Sequence, residues 1–309
     1  MPFSFHSHSG EFCLHARGSL EDMVLRAIEL GFHTLGLSEH VPRFREADLY
    51  PEEGHITTQQ LLVNFRAYLK EAQRLREKYA TKIDIVVGAE TENIYPEYLQ
   101  DLRAILEETP VDFLVGSVHH ANGIPIDFDQ ASFDKALTSC HTYEGLFNAY
   151  FDAQFSMLTS LKPAVVGHFD LIRLFAPADP FHRAFPDAIW QKIRRNVDFV
   201  VSYGGLFEIN ARGWKKGLPS AYPLRDISEY IARSGGRFTL GDDAHAPEEV
   251  ALNYFRIPAY LESLGIVELW YVKSDTSNVP TAHMAFLGRG FIFEKVADWR
   301  KDPFWTPFI

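Results

Sequence analysis

Cysteine is nearly absent from the 309-residue sequence, which carries only Cys13 and Cys140. A disulfide framework is therefore excluded, and two ordinary free thiols in a reducing compartment are the natural reading. Also missing is any run of about 18 uninterrupted apolar residues, the kind that crosses a bilayer. No basic stretch followed by an apolar run opens the chain, so no signal peptide and a cytoplasmic setting are expected. Positive charge is scarce as well, with 30 Lys and Arg against 41 Asp and Glu and a formal charge of -11. Nucleic-acid affinity rests largely on cations that neutralise phosphates, so an extended phosphate backbone is a poor partner. A small, locally recognised ligand fits better, with neither nucleic acid nor membrane as partner, and nothing here reads oligomeric state.

What the chain does have is core-forming material and order. Hydrophobic residues make up 46% of it, enough to bury a large core. No repeat, low-complexity segment or convincing linker divides it, so residues 1–309 read as one domain. Short apolar or β-branched runs alternate with longer helical patterns, the signature of βα units and a parallel sheet. Seven strands are expected, at Phe3–Ser7, Thr34–Ser38, Ile83–Gly88, Phe113–Ser117, Ala164–Gly167, Gly205–Ile209 and Arg237–Leu240. Ser19 ahead of Glu21 and Asp22 marks a helix start that Gly31 ends. Thr58–Tyr79 places Leu61, Leu62, Phe65, Leu69 and Leu75 among charged residues, which predicts an amphipathic helix outside the sheet. Ala176–Pro186, with three prolines, predicts a surface loop. Seven βα units suggest a barrel related to the eight-stranded type, whose ligand sites collect at the carboxyl ends of the strands.

The polar residues obey that rule. His6-Ser7-His8 ends the first strand, and residues i and i+2 of a strand share a face, so both imidazoles can reach one ion. The same spacing returns in Asp243-Ala244-His245 after the last strand. Four further strand ends contribute Ser38-Glu39-His40, Gly88-Ala89-Glu90, Gly116-Ser117-Val118-His119-His120 and Gly167-His168-Phe169-Asp170. Singly, a histidine on an apolar strand is more often a core residue than a ligand; six clusters at one end of a barrel point to a site. Arg212, after the sixth strand, suits a bidentate phosphate grip. Lys215, Lys216, Arg173 and Arg17 are further cationic candidates. His33, His55, His141, His182 and His283 lack such context and read as ordinary.

The ordered set His6-x-His8, His15, Ser38-Glu39-His40, Gly88-Ala89-Glu90, Gly116-Ser117-Val118-His119, Gly167-His168-x-Asp170 and Asp243-x-His245 resembles the polymerase and histidinol phosphatase (PHP) family. The stretches Gly116–Asp129 and Phe207–Pro219 most resemble its monofunctional histidinol-phosphatases. The likeness spans roughly residues 3 to 250. It implies an α/β fold, a distorted seven-stranded (β/α)7 barrel, holding three divalent ions of zinc, manganese or iron. On that template His6, His8, Glu90 and Asp243 hold the first ion. The second shares Glu90 and adds His119 and His168, and the third takes His15, His40 and His245.

The implied reaction is hydrolysis of L-histidinol phosphate to L-histidinol and phosphate, in histidine biosynthesis, by attack of a metal-bridging hydroxide. Clustered divalent ions suit phosphomonoesters because they acidify water and neutralise charge on the attacking and leaving oxygens. The catalytic candidates are Asp243, His245 and Asp170, with His245, Asp170 or a bound water left open as proton donor. Arg212, His120, Arg173, Lys215 and Arg17 are the substrate-binding candidates. His120 should face away from His119 if their strand continues. Rival readings are a PHP-type phosphoesterase for another small ester, an amidohydrolase-like metal hydrolase, and a protein whose metal is structural. The last is disfavoured because closed structural zinc sites are rich in cysteine.

Overall fold

The computed structural model describes residues 2–178, 180, 181, 185–274 and 291–308. His182 and His283 lie outside the described residues, as does part of the expected Ala176–Pro186 loop. The seven expected runs form one sheet: β1 (Phe3–Ser4), β2 (Thr34–Leu37), β3 (Asp84–Glu90), β4 (Phe113–Gly116), β5 (Val165–Val166), β6 (Leu206–Asn210) and β7 (Arg237–Gly241). All neighbours are parallel and in sequence order. Among the described residues no ladder joins β7 back to β1. Instead a single bridge pairs Ser7 with Ala244, and Phe5 N and His8 N donate to Leu240 O and Ala244 O at 3.2 and 2.8 Å. The result is a nearly closed barrel with a seam between its first and last strands.

Strand ends fall within one residue of expectation except at the ends of β1 and β3. β1 leaves its ladder after Ser4, because beyond it the chain bonds across the seam rather than to β2 alone. β3 runs on to include Glu90, whose N–H donates to Glu39 O at 3.0 Å and whose carbonyl accepts from Val41 N at 2.9 Å. Glu90 thus sits on the strand itself and aims inward.

Both faces of β2 and β4 are buried, as expected for a parallel sheet covered by helices. Inside the barrel, Phe5 meets Phe113 edge-on at 5.8 Å. Only glycine fits beside them: a Cβ on Gly88 would lie 2.4 Å from the Phe113 ring, and one on Gly36 would lie 2.7 Å from Phe5. Burying each such phenyl ring is worth about 1.5–3 kcal/mol.

Helix α1 (Leu20–Glu29) begins at a Ser19/Asp22 capping box, and α2 (Thr58–Tyr79) at a Thr57/Gln60 box. The face of α2 that turns inward carries Phe65, Tyr68, Ala72, Leu75 and Tyr79, and Tyr68 donates its hydroxyl to Gly88 O at 2.7 Å. Strands β8 (Leu269–Ser274) and β9 (Phe291–Val296) pair antiparallel near the chain's end. Tyr271 stacks on Phe3 at 5.4 Å and Ser274 Oγ reaches Asp84 Oδ1 at 3.3 Å. Phe3 and Asp84 start their strands, so this hairpin closes the amino end of the barrel, opposite the candidate site. No described helix is long and apolar enough to cross a membrane.

Candidate metal centre

Glu90 is the hub at the carboxyl end. Its Oε1 lies 3.0 Å from His6 Nε2, 3.2 Å from His119 Nε2 and 3.0 Å from His168 Nε2. Its Oε2 lies 3.3 Å from His8 Nε2 and 3.0 Å from His40 Nδ1. Asp243 Oδ1 stands 3.8 Å from both His6 Nε2 and His8 Nε2. The Asp243 backbone has φ 52, a left-handed conformation that Asp tolerates better than most side chains. His15 and His245 stack at 5.0 Å beside His40 and His8. All nine residues expected to bind metal thus converge, from strands and loops spread over the whole barrel.

The donor set fits divalent ions. His6 Nε2 and both ring nitrogens of His8 and His40 are buried, and those that face Glu90 at 3.0–3.3 Å make no well-directed hydrogen bond to it, a costly state for polar atoms that a cation relieves. Overlapping groups of three or more residues, among them His6, His8 and Glu90, and Glu90, His119 and His168, place their ligand atoms within 4.8 Å of one another. Imidazole with carboxylate suits zinc, manganese or iron.

A second layer of carboxylates, not assigned from the sequence, stands behind the imidazoles. Glu208 Oε1 lies 3.0 Å from His6 Nδ1, while its Oε2 accepts from His168 N at 2.8 Å and Asn210 Nδ2 at 3.0 Å. Glu92 meets His119 Nδ1 at 2.7 Å and His120 Nδ1 at 3.1 Å. Glu39 accepts from Ser9 N and Oγ, both at 2.7 Å, beside His8 Nδ1 at 3.6 Å. Such partners fix the tautomer and orientation of ligating histidines.

Charge follows this geometry. Burial alone would depress the His6 imidazole, but Glu208, Glu90 and Asp243 outweigh it and raise its pKa well above the ordinary value. Burial would likewise raise Glu90, yet His6, His119 and His40 hold it well below. At the other edge burial, with His40 and His8 next to it, pushes His15 down to about 3. The Glu90 core therefore demands positive charge, and the His15 edge keeps neutral imidazoles.

A cavity of about 270 Å³ opens over the cluster. Arg212 and Lys216 line it together with His245 and Asp243; Glu52, Asp127, Tyr50 and Phe128 also line it. Arg212 Nη1 bonds Asp243 O at 2.6 Å and Glu249 Oε2 at 2.8 Å. The other substrate-binding candidates do not line the cavity. Arg17 is exposed and pairs with Glu248 at 2.6 Å, and Lys215 pairs with Glu249. Asp170 is fully buried, held by Arg173 at 2.6 Å and by Leu224 N at 2.9 Å. His120 does not alternate with His119, because β4 ends at Gly116; both rings share Glu92. Of the other histidines, His33 bonds Thr34 Oγ1 at 2.7 Å, and neither it nor His55 nor His141 reaches the cavity.

Residues 4–212 match the PHP domain. The chain belongs to the PHP family. This PHP protein is 42% identical over 312 residues to the "Probable histidinol-phosphatase" of Schizosaccharomyces pombe, covering all of this chain and 97% of that one. It is 31% identical to the histidinol-phosphatase of Saccharomyces cerevisiae, across 98% of this chain and 99% of that protein. Among solved structures, a Listeria monocytogenes protein assigned as a histidinol phosphatase superposes on the PHP chain with a TM-score of 0.71 at 24% identity. That match covers 82% of this chain and 98% of the other. A Lactococcus lactis histidinol phosphate phosphatase, solved with zinc, L-histidinol and phosphate, superposes with a TM-score of 0.58 at 20% identity, over 87% and 95%. Both structures share the barrel fold.

Proposed function

We propose that the chain is a histidinol-phosphatase, a phosphomonoesterase that hydrolyses L-histidinol phosphate in histidine biosynthesis, with three divalent ions of zinc, manganese or iron as cofactors. The observation that carries the reading is the convergence of nine His, Glu and Asp side chains under one cavity, with buried ring nitrogens crowded around the Glu90 carboxylate. The two fungal relatives, matched along essentially their whole length, bear the same activity in their names. The setting is a reducing, cytoplasmic one, in keeping with two free thiols.

His6, His8, Glu90 and Asp243 would hold one ion, Glu90, His119 and His168 a second, and His15, His40 and His245 a third. Bound there, such ions supply Lewis-acid charge and lower the pKa of water, which is the chemistry phosphomonoester hydrolysis needs. The protein's own residues do the rest. Arg212 and Lys216 grip the phosphate; Arg212 is pre-set by Glu249 and the Asp243 carbonyl, so little rotamer freedom is lost on binding. Asp127 and Glu52 face the substrate's ammonium, while Tyr50 and Phe128, stacked at 5.6 Å, offer an aromatic surface for its imidazole. His245 Nδ1 lies 2.9 Å from the Asp243 carbonyl, a contact that leaves Nε2 free as a ligand atom and supports a metal-holding role for His245 over proton donation.

Steady-state assays with histidinol phosphate beside a panel of phosphomonoesters test the reading. Histidinol phosphate is expected to lead in kcat/KM by at least roughly 100-fold, the scale at which the fit of an apolar pocket discriminates. No preference would remove the specific substrate and leave a PHP-type phosphoesterase for another small ester.

A further inference from the structure

Cys13, expected from the sequence to be an ordinary thiol, is buried at 6% exposure on a loop whose neighbour Leu14 is 51% exposed. Its Sγ lies 3.2 Å from His15 Nε2. Together with one ring nitrogen each of His15, His40 and His245 it forms a four-membered group whose ligand atoms all lie within 4.8 Å of one another.

The three imidazoles are set up to give a lone pair to that group. His15 Nδ1 lies 2.9 Å from Glu52 Oε1, and a carboxylate accepts, so the proton sits on Nδ1 and Nε2 is left bare. The Asp243 carbonyl can only accept as well, which fixes the proton of His245 on Nδ1. His40 Nδ1 faces Glu90 Oε2 at 3.0 Å, and its Nε2 is buried with no hydrogen-bond partner. Around one tetrahedral zinc ion, sulfur and nitrogen ligands stand about 3.6 Å apart, against 3.2 Å between Cys13 Sγ and His15 Nε2 and at most 4.8 Å across this group.

We infer that Cys13 is the fourth protein ligand of the ion held by His15, His40 and His245, closing that position with a thiolate. This rests on the reading of the cluster as metal-binding. Coordination forms a sulfur–metal bond as the S–H bond breaks and its proton passes to solvent. Two consequences separate this ion from its neighbours. Four protein ligands leave no open position, so it orders the loop and adds charge without presenting a water. A soft thiolate also selects zinc over manganese, whereas the groups around Glu90 hold only imidazole and carboxylate. The centre is then of mixed character, with one closed zinc site beside two open ones.

The experiment loads metal-stripped, full-length protein with cobalt(II) and follows the near-ultraviolet band that cobalt gains only from a thiolate. The expected result is a band that saturates at one cobalt–thiolate bond per chain, vanishes in Cys13→Ser and persists in Cys140→Ser. In zinc competition, Cys13→Ser should weaken one site by more than about 10-fold, the least that losing even an outer hydrogen-bond partner costs. Cobalt uptake without the band, or an unchanged band in Cys13→Ser, overturns the thiolate ligand and leaves the metal centre standing. No uptake of any divalent ion overturns both. Should Cys13→Ser fail to fold, the wild-type and Cys140→Ser spectra alone decide, because Cys140 is the only other thiol.

Discussion

Glu208 does not line the cavity, yet three elements of the site lean on it: the His6 ring, the His168 backbone and Asn210. Gly241 makes its place possible, since a Cβ there would fall 1.7 Å from Glu208 Oε1. Glu208→Gln keeps the shape and removes the charge that orients His6, so metal affinity should fall by about 10- to 100-fold with little change in fold. Calorimetric zinc titration of the variant measures this, and an unchanged affinity would show that Glu208 merely fills space. Gly241→Ala displaces the same carboxylate by crowding and should cost about 1–3 kcal/mol of stability as well, read from denaturant unfolding. Residues of this kind were the least legible in the sequence. His6 and His8 announce themselves by their i, i+2 spacing on one strand. Glu208 is joined to His6 across 202 positions, and no local pattern encodes that. The grouping of Cys13 with His15, His40 and His245 was hidden for the same reason, because those imidazoles come from three separate loops.

Among the elements, α1 and α2 are tied by one carboxylate. Glu21 on α1 accepts from Lys78, Tyr79 and Arg74 on α2, and these donors, Lys78 foremost, hold its pKa down to about 2 from an ordinary 4.5. A depressed carboxylate stabilises the fold above its unfolded pKa and loses that contribution as pH falls from about 4.5 toward 2. Glu21→Gln should therefore lower stability at pH 7 by under about 1 kcal/mol, because the group is near the surface, and the difference from wild type should vanish near pH 2. Urea midpoints at both pH values check this; an equal deficit at both would mean that packing rather than charge is lost. Ser19→Ala, which removes the cap of α1, should cost about 1 kcal/mol at either pH. Helices were well legible because their signals are local: Ser19 with Asp22 marks the start of α1, and the apolar spacing of Leu61, Phe65, Leu69 and Leu75 marks α2. Strand ends were less so, since β1 stops where its hydrogen bonds pass across the seam to the β7 side. The β8–β9 hairpin gave no pattern tied to the site, in keeping with its place at the opposite end.

For the whole molecule, the site and the seam coincide. The sheet has no ladder between β7 and β1, and the residues flanking that gap are His6 and His8 on one side and Asp243 and His245 on the other. Metal ions bound to both sides would stitch the barrel where an isolated bridge stands in place of a ladder. Each ion present at 100 times its Kd adds about 2.7 kcal/mol, which for a chain of this length is roughly 4 °C in Tm. Stripping the protein with a chelator should lower Tm by that amount or more, and zinc should restore it. Where the loosening occurs is the sharper matter. His8 N donates across the seam to Ala244 O at 2.8 Å, whereas Val87 N, in the middle of β3, donates to Asp112 Oδ2 at 2.9 Å far from the gap. Hydrogen exchange on stripped protein should accelerate at Phe5 and His8 and leave Val86 and Val87 protected, because local opening follows the weakest ladder. Equal acceleration across the sheet would mean that the ions stabilise the fold globally and that the seam holds without them.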